Sequence, residues 1–319
     1  MPRSRILTML MATIWALWLP APLTAAPCVV SLFTGDAGPA VQEPVEEDAA
    51  DEDPVERLEA WPELEDERAL KKSLSRLRSG RDEAQADEAR NELSTAGAMV
   101  APMLLEALGK ERNEEARDRI AEVLAQVVCA AHTRLLAEWF DDNAPPVRIW
   151  TRAQAARFPD AGLAEAAAAA WAEVEARTER TRRKPDPEER RVTALLLCST
   201  GSVAVLDFVI EQATDDWGSV APLAREAFAG LRGTDAGSTL GKKLQGAPRK
   251  RASALLRLLA ACGSEAELGY VGPFLDSNDN TLRVDAINAC RSIIDGEAPL
   301  GRLSVFEAIE LSKKWKERL

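Results

Sequence analysis

The chain has one histidine and one tyrosine in 319 residues, and its aromatic content is only 5%. Its five cysteines, Cys28, Cys129, Cys198, Cys262 and Cys290, are separated by 101, 69, 64 and 28 positions. None of these gaps has metal-ligand spacing, so no metal or catalytic constellation is assigned and no cofactor is expected. No glycine-rich loop opens a helix with phosphate-binding spacing. No convincing stretch alternates with period two, which excludes a substantial sheet. Val203 to Ile210 is the one β-tempting run, and its place directly after a glycine turn argues for a helix instead.

What is present favours helix. Ala and Leu dominate, and both lose little side-chain freedom in a helix. The net charge is −12, but Glu43 to Arg68 holds thirteen acidic and two basic residues, so the remainder of the chain is nearly neutral. The low overall pI therefore describes one segment and gives no evidence about a nucleic-acid partner.

The N-terminus has the layout of a secretory signal. Arg3 and Arg5 precede an uncharged run from Ile6 to Leu19, then Pro20, Pro22 and the mostly small residues Leu23-Thr24-Ala25-Ala26. Fourteen residues of helix span roughly 21 Å, short of the roughly 30 Å hydrocarbon core. Residues 1–26 are expected to be a cleaved signal peptide, which places the protein in the periplasm or outside the cell. An uncleaved membrane anchor is the alternative. Pro27 stands before Cys28 where a lipobox needs a small residue. Residues 27–60, acidic and punctuated by Gly35, Gly38, Pro39, Pro44 and Pro54, are expected to form a disordered tether.

Self-similarity is the strongest signal; it covers about residues 82–319, within an expected domain of residues 61–319. The tetrads Gly201-Ser202-Val203-Ala204, Gly233-Thr234-Asp235-Ala236 and Gly263-Ser264-Glu265-Ala266 match, with a looser copy at Gly296. Glycine suits a helix end that reverses through positive φ, and the following hydroxyl can cap the next helix. A second pattern opens the units: Asn113…Arg117, Asp186…Arg190 and Asp279…Arg283, with a near copy from Asn143 to Arg148. First helices are then expected to start near 82, 113, 145, 187, 217, 248 and 280. Only the third spacing is long, and its ten extra residues coincide with a lengthened second helix and loop between Ala164 and Lys184. Apolar stripes such as Ala116, Ile120, Val123, Leu124 and Val127 follow helical periodicity. Trp61, Leu64, Leu70, Leu74 and Leu77 suggest an N-terminal capping helix, and the charged segment from Leu303 to Leu319 a C-terminal one.

This pattern resembles the HEAT-like repeats in their short form of about 30 residues, also found in phycobilisome-lyase-type proteins. The match rests on the openings at Arg117, Arg148, Arg190 and Arg283 and on the glycine turns. It departs at Ala221, where the arginine is missing, and at Val128, where no glycine separates the two helices. The resemblance implies an all-α, right-handed α-solenoid of about seven helix pairs, in which neighbours bury each other's apolar faces. It identifies a fold and no reaction.

Three function classes follow. The first is a non-enzymatic scaffold for another protein. The second, implied by the resemblance, is a tetrapyrrole lyase or isomerase. The third is an envelope protein holding an anionic polymer on a basic ridge. The ridge would combine Arg180, Arg182, Arg183 and Lys184 with Lys242, Lys243, Arg249, Lys250 and Arg251, which surround two inter-repeat loops. No aromatics are interleaved with them, which disfavours nucleic acid. Cys129 and His132, three residues apart, share a helix face and would suit a nucleophile–base pair. No orienting acid or oxyanion hole is evident nearby in sequence, so His132 is expected half-exposed on a helix surface. Cys262 and Cys290 lie on adjacent first helices, but an axial offset of roughly 7 Å and a helix separation of roughly 8–10 Å put them beyond disulfide reach.

Overall fold

A computed structural model describes residues 56–181 and 186–319. The proposed signal peptide, nearly all of the acidic tether, Cys28, Arg182, Arg183 and Lys184 lie outside the described residues. The described part is all-helical, with fourteen α-helices and no strand. In chain order these are α1 (Glu67–Ser79), α2 (Glu83–Ala96), α3 (Ala101–Lys110), α4 (Glu114–Val127), α5 (Pro145–Ala156), α6 (Ala164–Thr181) and α7 (Pro187–Ser199). They continue with α8 (Leu206–Asp215), α9 (Trp217–Ala229), α10 (Ala236–Leu244), α11 (Arg249–Cys262), α12 (Leu268–Val271), α13 (Asn280–Cys290) and α14 (Val305–Arg318). Short 3₁₀ segments cover Gly97–Val100, Ala130–Trp139, Ala161–Leu163, Glu265–Glu267 and Gly272–Asp276. None of these helices is long and apolar enough to cross a membrane.

The seven first helices open at Glu83, Glu114, Pro145, Pro187, Trp217, Arg249 and Asn280, each within one residue of the sequence expectation. The cause is local. Asn113, Asp186, Asp216 and Asp279 each accept a backbone N–H from the first turn of the helix they precede, satisfying donors that have no partner within the helix. Asp82 does the same for α2. Val203 to Ile210 is no strand, and α8 occupies most of it.

The reversals use glycine in two ways. Gly201, Gly233 and Gly296 take φ of 91°, 78° and 66°, a region that favours glycine. Gly263 differs, with φ −68°. There the requirement is space, because an added Cβ would lie 2.7 Å from the Leu259 carbonyl oxygen and 2.9 Å from Ile293 Cδ1.

Packing follows chain order. α1 rests on α2 and α4, α3 on α4 and α5, α5 on α7, α7 on α9, α9 on α11, and α11 on α13. The second elements α6, α8 and α10 lie against α7, α9 and α11 respectively, each the first helix that follows it, and α14 closes on α13. The buried apolar side chains form one connected cluster from Leu74 to Trp315. Small residues such as Ala155, Ala194, Ala227, Ala252 and Ala286 are fully or almost fully buried. They let the helices approach closely.

The N-terminal element departs from expectation. Leu70, Leu74 and Leu77 do sit on α1, but Trp61 and Leu64 precede it in an irregular strap. Leu58 N–H donates to the Ala131 carbonyl at 2.9 Å. Arg57 donates to the Ala130 carbonyl and pairs with Asp160 at 3.3 Å. Residues 57–60, read from sequence as the last of the tether, are thus tied to a point more than seventy residues further along the chain.

Candidate functional site

The irregular third unit builds a cleft. The ten extra residues extend α6, whose Ala166, Ala169 and Ala170 face the turn from Phe140 to Asn143 across a space of about 710 Å³. Alanines on α6 keep this floor low. Glu138, Asp141 and Asp142 contribute carboxylates to the lining, and Arg148 and Arg177 contribute guanidinium groups.

Those two arginines belong to a buried ionic cluster that sequence reasoning missed. Glu189, in the first turn of α7, is 5% exposed. It accepts from Arg148 through Nε at 2.6 Å and Nη2 at 3.0 Å, a two-pronged geometry. Arg152 Nη1 donates to the same carboxylate at 3.1 Å, and Arg177 Nη1 also reaches it at 3.1 Å. Arg152 is wholly buried and further donates to Thr193 Oγ1 at 3.0 Å and to the Phe140 carbonyl. Spacing explains the geometry. Arg148 and Arg152 are four residues apart on α5 and therefore share the face that packs on α7.

Three guanidinium groups on one carboxylate shift its titration. Burial alone would raise the Glu189 carboxyl, but the Arg148 hydrogen bonds and the charges of Arg148, Arg152 and Arg177 outweigh it and hold the group below its usual range. Burial, with the neighbouring arginines, pushes Arg152 down to about 10, against the opposing pull of Glu189. Both remain charged at neutral pH. A first-turn glutamate is ordinarily exposed and favoured by the helix dipole. Here α5 covers it.

The unit-opening arginines diverge in role. Arg190 lies over Phe208 at 4.5 Å and Trp171 at 5.5 Å and pairs with Glu175 at 2.9 Å. Arg283 donates to the Ser277 carbonyl at 2.6 Å, tying the preceding loop to α13. Only Arg148 points into a charge cluster beside a cleft.

The sequence-predicted ridge is largely occupied by internal contacts. Arg180 pairs with Glu173 at 2.6 Å and Lys243 with Asp207 at 2.9 Å. Arg249 pairs with Asp279, and Lys250 donates to the Asp215 carbonyl at 2.8 Å. Lys242 and Arg251 form no ion pair among the described residues. No hydrogen bond or ion pair joins Arg180 to the second group among the described residues.

His132 is 7% exposed, not half-exposed. Trp61 on the strap stacks on its ring, with centroids 5.5 Å apart and planes within 4°. Cys129 lies beside it, with Sγ 3.3 Å from Nδ1. Among the described residues no group of three or more His, Cys, Asp or Glu is placed to hold a metal ion. Cys129, Cys198, Cys262 and Cys290 are free thiols. The arrangement is therefore that of an all-α protein with a cleft at its one irregular unit. Comparison with protein-family models, curated proteins and solved structures finds no match.

Proposed function

We propose that this chain is a non-enzymatic scaffold built as a right-handed α-solenoid of about seven HEAT-like pairs, exported to the periplasm or cell envelope, that holds another protein. The observation carrying this reading is that helices pack on those close to them in the chain while sharing one connected core. Such an arrangement favours extended surfaces over a deep reaction pocket. The cleft beside α6 is the preferred contact region. Glu138 and Asp141 on its lining are exposed and form no ion pair among the described residues, which favours a partner segment carrying Lys or Arg. The basic ridge is the weaker candidate, since Arg180, Lys243, Arg249 and Lys250 already have internal partners.

The test is site-specific photocrosslinking in the host. A crosslinker at Ala169 in the cleft is expected to capture one defined polypeptide, and one at the exposed Glu211 on α8 is not. Capture should weaken with Glu138→Lys and Asp141→Lys combined. Equal capture from both positions would remove the cleft from the proposal. Chromophore absorbance on the purified protein would favour the lyase reading instead.

A further inference from the structure

Cys129 stands at the N-terminus of the ten-residue 3₁₀ segment Ala130–Trp139, where its carbonyl accepts the backbone N–H of His132 at 3.0 Å. The His132 side chain returns the contact, Nδ1 accepting the backbone N–H of Cys129 at 3.2 Å. That bond fixes the ring, because a nitrogen that accepts carries no proton and the proton must then be on Nε2. The Cys129 sulfur lies 3.3 Å from the same nitrogen, so Nδ1 acts as a base only by exchanging the Cys129 N–H bond for the thiol proton. Burial lowers the affinity of His132 for a proton, so the ring is neutral at pH 7 and available.

Burial opposes the charge-separated pair that proton transfer creates, and two features of the corner offset that penalty. A developing thiolate would lie at the positive end of the 3₁₀ segment. A developing imidazolium would lie face to face with Trp61, a geometry that favours a cation over an aromatic ring. The charged groups packed around this corner are Arg57, Arg134 and Asp160. Both arginines pair with Asp160, so no free carboxylate faces the sulfur from that side. Cys129 is partly exposed. Burial instead pushes the Cys198 thiol well above its ordinary range, Cys262 up to about 12 and Cys290 up to about 11.

We propose that Cys129 and His132 form a thiol–imidazole pair that makes Cys129 the reactive thiol of the described chain toward small disulfides. The thiol proton passes to His132 Nδ1 as Sγ attacks one sulfur of the disulfide. The disulfide's S–S bond breaks and a Cys129–S–S–R bond forms. The departing thiolate takes the proton from His132 and leaves as a free thiol. The disulfide is the oxidant, Cys129 is oxidised, and the released sulfur is reduced. This is a modification site independent of the scaffold reading.

The experiment treats the full-length protein with glutathione disulfide near pH 7.5 and follows each cysteine-containing peptide by mass spectrometry. Cys129 is expected to react before Cys198, Cys262 and Cys290. Its rate in the folded protein should exceed its own rate in the urea-unfolded chain by several-fold, because only about a tenth of a thiol of pKa about 8.5 is ionised at that pH and the imidazole raises that share. Unfolding increases exposure, so greater access cannot produce that sign. His132→Gln, checked for retained helicity, should bring the folded rate down to the unfolded one. A folded rate for Cys129 equal to or below the unfolded rate overturns the proposal, and it does so even if the variant fails to fold.

Discussion

Arg148 grips the carboxylate of Glu189 with two parallel hydrogen bonds across 41 residues of sequence, and both side chains are almost fully buried. The contact joins α5 to α7 across the longest spacing in the repeat. The unit that departs most from regularity is therefore tied together by charge as well as by apolar packing.

Glu189→Gln should cost about 3–5 kcal/mol, because it leaves three buried or half-buried guanidinium groups without their acceptor charge. Arg152→Met should cost less, since Glu189 would keep Arg148 and Arg177. Urea denaturation of both variants checks the order. If Arg152→Met proved the more damaging, the hydrogen bonds of Arg152 to Thr193 and Phe140 would outweigh the ionic balance.

Acid should weaken the fold in two steps. His132 has a folded pKa below its ordinary 6.5, owing chiefly to burial, so below about that pH the unfolded chain binds a proton the folded chain resists. Stability is then full above that value and declines as pH falls through it. Glu189 is also depressed, so its stabilising effect is present above the ordinary 4.5 and is lost as pH falls toward its lower folded value. Urea midpoints measured from about pH 8 to 3 should show both declines. His132→Gln should abolish the first and leave the second.

Much of the architecture was legible in the sequence because helix starts depend on local chemistry. Asn113, Asp186 and Asp279 cap the helices whose openings they marked. The buried cluster was not legible. Arg152 occupies a position where a cationic side chain ordinarily signals solvent, and Glu189 one where a solvated acid is the common case. Only the packing of α5 on α7 reverses both. The Trp61 stack was also hidden, since nothing local to residue 61 points to a ring 71 positions away.

Glycine substitutions should separate space from conformation. The sequence singled out Gly233, whose φ of 78° strains an L side chain while nothing lies within 4 Å of an added Cβ. Gly233→Ala should therefore cost about 1–2 kcal/mol. Three residues earlier, Gly230 has an ordinary φ of −65°, but a Cβ there would lie 2.2 Å from the Ser199 carbonyl oxygen. The end of α9 must then move away from the end of α7. Gly230→Ala should cost about 3 kcal/mol or more, and thermal denaturation should rank it below Gly233→Ala.

The strap gives a prediction about local rather than global stability. Arg57 and Trp61 hold residues 57–61 against the Cys129–His132 corner, and the Leu58 amide is bonded to the Ala131 carbonyl as a result. Trp61 is only partly buried and its Nε1 has no hydrogen-bond partner, so its attachment rests on ring contact. Trp61→Ala should thus release the strap at a cost of about 1–2 kcal/mol, below the 3–5 of a core tryptophan. Hydrogen exchange should show the Leu58 amide losing protection while amides in α7 and α11 keep theirs, because α7 is held by α5, α6 and α9 and α11 by α9, α10 and α13. Loss of protection throughout would mean that the strap stabilises the whole stack instead of closing one corner of it.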